Sequence, residues 1–520
     1  MNKVKSLFLL LPLVMTGCGG GGGGGASSAT SQSSATSQSS QTSQGSQSTS
    51  GGASSQQIDP SIKTIKVKFW HTFGQTIVDA LQSKINDFQA LVKAQEGVDV
   101  TVELSYQGGY DDIASKIISG FATDNTPTIS VAYPDNVADY LQKAKENERD
   151  YVANLDDFID SDLYGFGLES WLGDKDDETD FVSDFYREGS SYIFDGTYSL
   201  PFMKSTEIMY YNYDMVEAAM PFYNPSLNSE TKIKRFMRNM TWDDFMDLCS
   251  AINEHKAEIG NLLETPAYYD SDSNFFITKM FQNDIPFSSI SPRGNGVIDF
   301  QDGQNRQDTL KLLKDLRAIG PTGDNLITTK GIVGKYGSDY FTNEKVAFSI
   351  GSSGGAGYNF PEQDAFTLGV CRVPHSNDNP MYVSQGPTLC MFNDAKLDDA
   401  HNYATKVYAW RFLKYITNPT VNAELCINGS EGYIPVRNSA YETAIFQEFM
   451  EEGERYAQCY KVILDDINAD AEYLVTPAFK GSAELRDQVG ILVTSTFNAT
   501  NDDQLDGLLQ TAIDNALLKM

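Results

Sequence analysis

The stretch TIKVKFWHTFGQTIVDALQSKINDFQALVKAQEGVDVTVELSYQGGYDDIASKIISGFATDNTPTISVAYPDN, residues 64–136, alternates between two hydrophobic periods. Ile65, Val67 and Phe69 alternate with Lys66 and Lys68, as in a half-buried strand. Ile77, Leu81, Ile85, Phe88 and Val92 then recur at helical spacing and form one apolar stripe. Val98, Val100, Val102 and Leu104 return to alternation. Ile113, Ile117, Ile118 and Phe121 return to the helical period, and Ile129 with Val131 opens a third strand. The order β-α-β-α-β with right-handed crossovers predicts a parallel sheet with helices on its faces, an α/β fold.

In such sheets ligands bind beyond the carboxyl ends of the strands. The first strand ends in Trp70-His71, the second runs into Tyr106-Gln107-Gly108-Gly109-Tyr110, and the third into Tyr133-Pro134-Asp135-Asn136. An aromatic beside a polar group at each end suits a solute with apolar faces and many hydroxyls, such as a sugar. Trp70, His71, Tyr106, Tyr110 and Asp135 are therefore candidate ligand-binding residues.

Upstream, residues 1–18 read MNKVKSLFLLLPLVMTGC: a basic start at Lys3 and Lys5, an apolar core from Leu7 to Met15, and small residues before Cys18. The core is shorter than the ~20 apolar residues that span a bilayer, so the stretch reads as a cleavable export signal. It resembles a bacterial lipoprotein signal, which implies removal of residues 1–17 and acylation of Cys18. Residues 18–57 then form a tether: Gly19 to Gly25 lead into SSATSQ at 27–32, repeated at 33–38, with no charge before Asp59. Such a tract cannot offset its chain entropy by burial and serves as a flexible linker with a reach of roughly 35 Å. The expected location is the outer face of the cytoplasmic membrane, held there by lipid.

Downstream of an acidic, irregular stretch from Gly173 to Asp180, a second set of elements appears. Thr241 and Asp244 form a capping-box-like start for a helix bearing Trp242, Phe245, Leu248 and Ile252. Another helix, with Leu310, Leu313 and Leu316, stops at Gly320-Pro321.

The 520 residues hold 70 Asp and Glu against 39 Lys and Arg, a net charge of −31, which argues against a nucleic-acid partner. Beyond Cys18 the cysteines are Cys249, Cys371, Cys390, Cys426 and Cys459, an odd number without C-x-x-C spacing. Neither a disulfide framework nor a zinc site is signalled, and Cys249 reads as a core residue. No H-E-x-x-H or P-loop occurs. No metal, cofactor or catalytic residue is called for. The glycine-rich GSSGGAG at 351–357 reads as donors lining a pocket. Asp270-Ser271-Asp272-Ser273-Asn274 lacks the Gly and closing Glu of a calcium loop and reads as a helix cap or as ligand hydrogen-bonding, with Asp270 a candidate.

Several segments together resemble the family 1 extracellular solute-binding proteins, the sugar-type receptors of ABC importers, of which maltose-binding protein is the familiar member. They are the signal and tether, LPFMKSTEIMYYN at 200–212, TWDDF at 241–245, FTNEKVAFSIGSSG at 341–354, SQGPTL at 384–389 and GYIPVRNSAY at 432–441. The resemblance implies a two-lobe periplasmic-binding-protein-like fold of type II, each lobe a sheet flanked by helices, with hinge crossovers. The first lobe would span 62–198 plus 386–435, and the second 199–385 plus 436–520. It also implies a monomer that holds its solute between the lobes and presents the closed form to a membrane permease. By resemblance Ser205, Ser353, Gly386, Tyr433 and Arg486 join Trp70, Tyr106 and Tyr110 at the cleft.

Two ligand classes follow. The strand-end aromatics favour a carbohydrate, an oligosaccharide in particular. GYIPVRNSAY with the late Arg486 also resembles the glycerol-3-phosphate binders of the same family, because Arg suits bidentate phosphate contact. A reading from another class, a secreted carbohydrate-active enzyme, requires a carboxylate pair spaced for acid–base work in an open cleft.

Overall fold

The computed structural model describes residues 56–168, 172, 176–363, 365–376, 380–429, 431–453, 455–468 and 472–520. The expected signal at 1–17, Cys18 and the tether as far as residue 55 lie outside the described residues.

β1 (Thr64–His71), β2 (Asp99–Tyr106) and β3 (Ile129–Ala132) lie where alternation predicts them, followed by α1 (Gln75–Glu96), α2 (Tyr110–Phe121) and α3 (Pro134–Glu146). β1 pairs in parallel with both β2 and β3. The stripe Ile77, Leu81, Ile85, Phe88 and Val92 is the buried face of α1. β4 is only Leu200–Pro201.

β5 (Ser205–Asn212), β6 (Ala267–Tyr269), the hairpin β7 and β8 (Ser288–Ile290, Gly296–Ile298) and β9 (Ile327–Thr329) follow. Then come β10 (Phe348–Ser352), β11 (Leu368–Arg372), β12 (Met381–Gln385), β13 (Thr388–Met391) and β14 (Glu472–Leu474). One sheet has the order β2-β1-β3-β13-β4, and the other β14-β12-β5-β10-β6-β9, with β11 also paired to β5. Each sheet carries its own helices. Asp399–Ile416 packs on β1 and Pro419–Gly429 on α1, whereas Asp272–Gln282 and Ser482–Asn498 pack on each other, the former also against β12. β5 is buried at every position, which explains why LPFMKSTEIMYYN shows no polar–apolar alternation.

The chain leaves the first sheet after β4, enters the second at β5, and returns between β12 and β13. The return runs through Gly386, between Gln385 of β12 and Thr388 of β13. The outward crossing differs from the expected boundary at 198/199: Leu200 and Pro201 pair with Leu389 and Thr388 of β13, so the crossover is 202–204. A two-residue strand is too short for periodicity to reveal, and its pairing partner lies almost two hundred residues away.

Candidate functional site

Short polar devices start the helices that follow β2 and β3. The Asp112 carboxylate accepts from the Gly109 N–H at 3.0 Å, and Asn136 Oδ1 accepts from the Tyr133 N–H at 3.1 Å. Tyr110 and Asp111 are thereby fixed in the first turn of α2, and Pro134 and Asp135 in the first turn of α3. Carboxylates there also meet the positive end of each helix dipole. Opposite them, Ser271 caps the Asp272–Gln282 helix by accepting from the Asn274 N–H at 3.2 Å.

Between these elements lies a cavity of about 340 Å³. The first lobe lines it with Tyr110, Asp111, Tyr133, Pro134, Asp135 and Asn136. The second contributes Ser271, Ser273, Asn274, Ser384, Gln385, Arg486 and Asp487, and Lys204 with Glu188 completes the wall. The Tyr110 and Tyr133 rings lie 4.4 Å apart, tilted by 46°.

Both cations in the wall are already engaged. Lys204 Nζ donates to Glu188 at 2.6 Å with both side chains buried. Arg486 Nη2 donates to Asn274 Oδ1 at 2.6 Å, and Arg486 Nε lies 3.7 Å from Asp135 across the gap between lobes. The lining thus holds four carboxylates against two cations. Burial, together with Asp111 and Glu484, raises the Asp487 carboxyl above its ordinary value. Burial also raises the Tyr110 hydroxyl well above its usual range, helped by Tyr133 and Tyr433.

Of the residues singled out in the sequence, Tyr110, Asp135 and Arg486 line this cavity. Tyr433 lies beyond Tyr110, against Gly354. The others sit elsewhere. Trp70 is half-buried against the first-lobe core, and Tyr106 is 65% exposed at the end of the edge strand β2. His71 is 3% exposed; its Nδ1 accepts from the Phe73 N–H at 3.2 Å and its ring stacks on Phe73 at 5.6 Å, which makes it a packing residue. Ser205 and Ser353 are buried where β5 meets β10: Ser205 Oγ accepts from Ser352 Oγ at 3.2 Å, and Ser353 Oγ from the Thr206 N–H at 3.4 Å. The glycine-rich segment therefore braces two strands and does not line this cavity.

Asp270 holds the loop before Tyr340, accepting from the Gly337 N–H at 2.6 Å, and burial pushes its carboxyl up to about 6. The run it opens does cap a helix, but through Ser271. Gly386 contributes its carbonyl, 3.3 Å from Lys204 Nζ. Sequence reasoning missed Glu188, Lys204, Asp111 and Asp487, and reached Asn274 only as part of the run from Asp270. Lys204 stands inside a quoted segment without a distinguishing pattern, and Glu188 lies in an irregular connection. The five cysteines beyond Cys18 are all buried and free.

Two α/β lobes facing each other across a polar, aromatic-edged cavity define a two-lobe binding protein of the periplasmic type. The sequence profile of the bacterial extracellular solute-binding proteins matches residues 85–451, and the chain belongs to that family of ABC-importer receptors. The sn-glycerol-3-phosphate-binding periplasmic protein UgpB of Escherichia coli (strain K12) is 23% identical over 399 residues, 74% of this chain and 78% of that protein. The cyclic alpha-maltosyl-1,6-maltose binding protein from Arthrobacter globiformis superposes with a TM-score of 0.61 at 18% identity, over 87% of this chain and 99% of that one. UgpB from Mycobacterium tuberculosis, in complex with glycerophosphocholine, gives 0.58 at 19% identity over the same shares.

Proposed function

We propose that this receptor captures a neutral carbohydrate, an oligosaccharide, between its lobes and hands it to an ABC permease without changing it chemically. The observation that carries the reading is the charge of the cavity wall. A phosphate ester needs uncompensated cations, yet Lys204 is neutralised by Glu188 and Arg486 faces Asp135, while Asp111 and Asp487 add negative charge. Hydroxyl groups, in contrast, donate to carboxylates and accept from Arg486, Asn274 and Gln385, and the Tyr110–Tyr133 pair offers a surface for a sugar face. Binding stabilises the closed arrangement to the extent that solute contacts both lobes at once.

The same fold binds glycerol phosphates in its relatives, and that is the alternative. Thermal unfolding of the purified protein with maltotriose, mannotriose, sn-glycerol-3-phosphate and glycerophosphocholine separates the two. A rise with a sugar alone supports the carbohydrate reading, and a rise with the phosphate compounds alone overturns it. Hydrolysis of an offered glycan would replace the receptor reading with an enzyme.

The lipoprotein-like start supports anchoring through Cys18 at the outer face of the membrane, with residues 19–57 as the tether. Incorporation of labelled palmitate, abolished by Cys18→Ala, is the expected result.

A further inference from the structure

Glu207 is an almost wholly buried carboxylate outside the cavity wall. It sits on β5 with 3% of its surface exposed, and burial raises its carboxyl to about 7. Tyr269 OH donates to one of its oxygens, and Asn274 Nδ2 donates to the other at 3.2 Å. Tyr269 is fixed in turn by stacking on Phe275, with ring centroids 4.5 Å apart. The far side of the Asn274 amide, Oδ1, accepts from Arg486 Nη2 at 2.6 Å, and the Arg486 Nε edge faces Asp135 of the other lobe. A continuous chain of polar contacts thus runs from the core of the second lobe to the first.

An amide is nearly symmetric in shape, and its neighbours decide which end faces which way. Glu207 accepts the N–H end, which turns the oxygen toward the guanidinium. Arg486 is thereby held through Nη2, while its Nε faces Asp135 at 3.7 Å. A buried carboxylate without a cationic partner is costly to keep, and its two donors are what make it tolerable.

We infer that Glu207 is a positioning residue for solute capture: acting through Asn274, it fixes the guanidinium of Arg486 in the cavity wall and so sets which donors the solute meets. This deepens the receptor reading and rests on it.

The test has a solute-free arm and a binding arm. In protein labelled with ¹⁵N-arginine, the hydrogen-bonded Arg486 Nη2 protons, assigned by their loss in Arg486→Lys, should exchange slowly with water. Glu207→Leu should speed that exchange at least tenfold, and Glu207→Gln should restore it, because the Gln amide still accepts from Asn274 and donates to the Tyr269 oxygen. In the binding arm, Glu207→Leu should weaken whichever of maltotriose and mannotriose binds by at least tenfold, with Glu207→Gln much closer to the parent. If Leu and Gln behave alike, or Glu207→Leu changes neither readout, the inference is overturned. Should Glu207→Leu not fold, Asn274→Ala decides: faster Arg486 exchange supports the inference, and unchanged exchange overturns it. If neither sugar binds the parent protein, the carbohydrate reading fails, while the exchange measurement still judges the positioning role.

Discussion

Lys204 and Glu188 form an ion pair of 2.6 Å almost wholly withdrawn from water, with 1% and 7% of their side chains exposed. Lys204 lies in the crossover between β4 and β5. Its backbone exchanges hydrogen bonds with Ile434 at 3.1 and 2.8 Å, and its ammonium also donates to the carbonyl of Gly386 in the returning crossover. One residue therefore ties the outward crossover to the returning one and to the segment at Ile434. The pair thus joins the two crossovers and stands at the wall of the cavity as well.

Lys204→Met removes the cation and leaves Glu188 buried and unpaired. Breaking a buried pair in this way destabilises by ~3–5 kcal/mol. Urea unfolding of Lys204→Met should show a loss of that order, and adding Glu188→Gln should recover part of it. Equal stabilities for the single and double variants would mean that the two charges are not coupled.

Gly386 has φ +93, and a Cβ there would lie 2.4 Å from the Met203 carbonyl oxygen and 2.9 Å from Lys204 Cα. Both obstacles are backbone, so they cannot move aside as a side-chain tip does. Gly386→Ala should lower stability by more than ~1 kcal/mol, since the residue is wrong for both the conformation and the space. A urea midpoint equal to that of the parent would contradict the close crossing of the two hinge segments.

Tyr110 and Trp70 both stand at strand ends in the sequence, yet only Tyr110 lines the cavity. Tyr110→Ala should weaken binding of the cognate sugar about tenfold, or ~1.4 kcal/mol, through lost ring contact. Trp70→Ala should act mainly on stability, lowering the unfolding midpoint and shifting affinity less than Tyr110→Ala. Calorimetric titration beside thermal unfolding separates the two, and a larger affinity loss at Trp70 would relocate the solute toward β1.

The sequence pattern between 64 and 136 carried the first lobe because each element is long and buries one face, as the α1 stripe from Ile77 to Val92 shows. The second lobe was less legible. β6 and β9 have three residues each and are buried throughout, so no period exists to read. At the site, the strand-end rule found Tyr110 and Asp135 but also pointed to Tyr106. β2 is the edge strand, two places from β3 and farther still from the crossovers, and its end lies exposed. His71 shares the pleat face of Phe69 and so turns into the core. Glu188, Glu207 and Asn274 take their roles from partners 16, 62 and 212 residues away, a distance that no local pattern records.

Away from the cavity, Asp139 of α3 meets the second lobe at the start of the Ser482–Asn498 helix, accepting from the Gly481 N–H at 3.4 Å, and the neighbouring Glu146 lies 3.5 Å from Lys480. Burial pushes the Asp139 carboxyl up to about 6; Asp135 and Glu146 add to the rise, and the Gly481 N–H and Lys480 oppose it. Between the ordinary value of 3.8 and about 6 the folded protein therefore binds more protons at this residue than the unfolded chain, and stability falls as pH rises through that window. The penalty is complete above it and absent below. Asp139→Asn keeps an acceptor for Gly481 and removes the charge. It should stabilise the protein at pH 7.5 by on the order of 2 kcal/mol, discounted for partial exposure, and the gain should vanish by about pH 4. Urea unfolding of parent and variant across this range checks both the size and the sign, and a gain that grows toward low pH would show that Asp139 is held ionised in the interlobe contact.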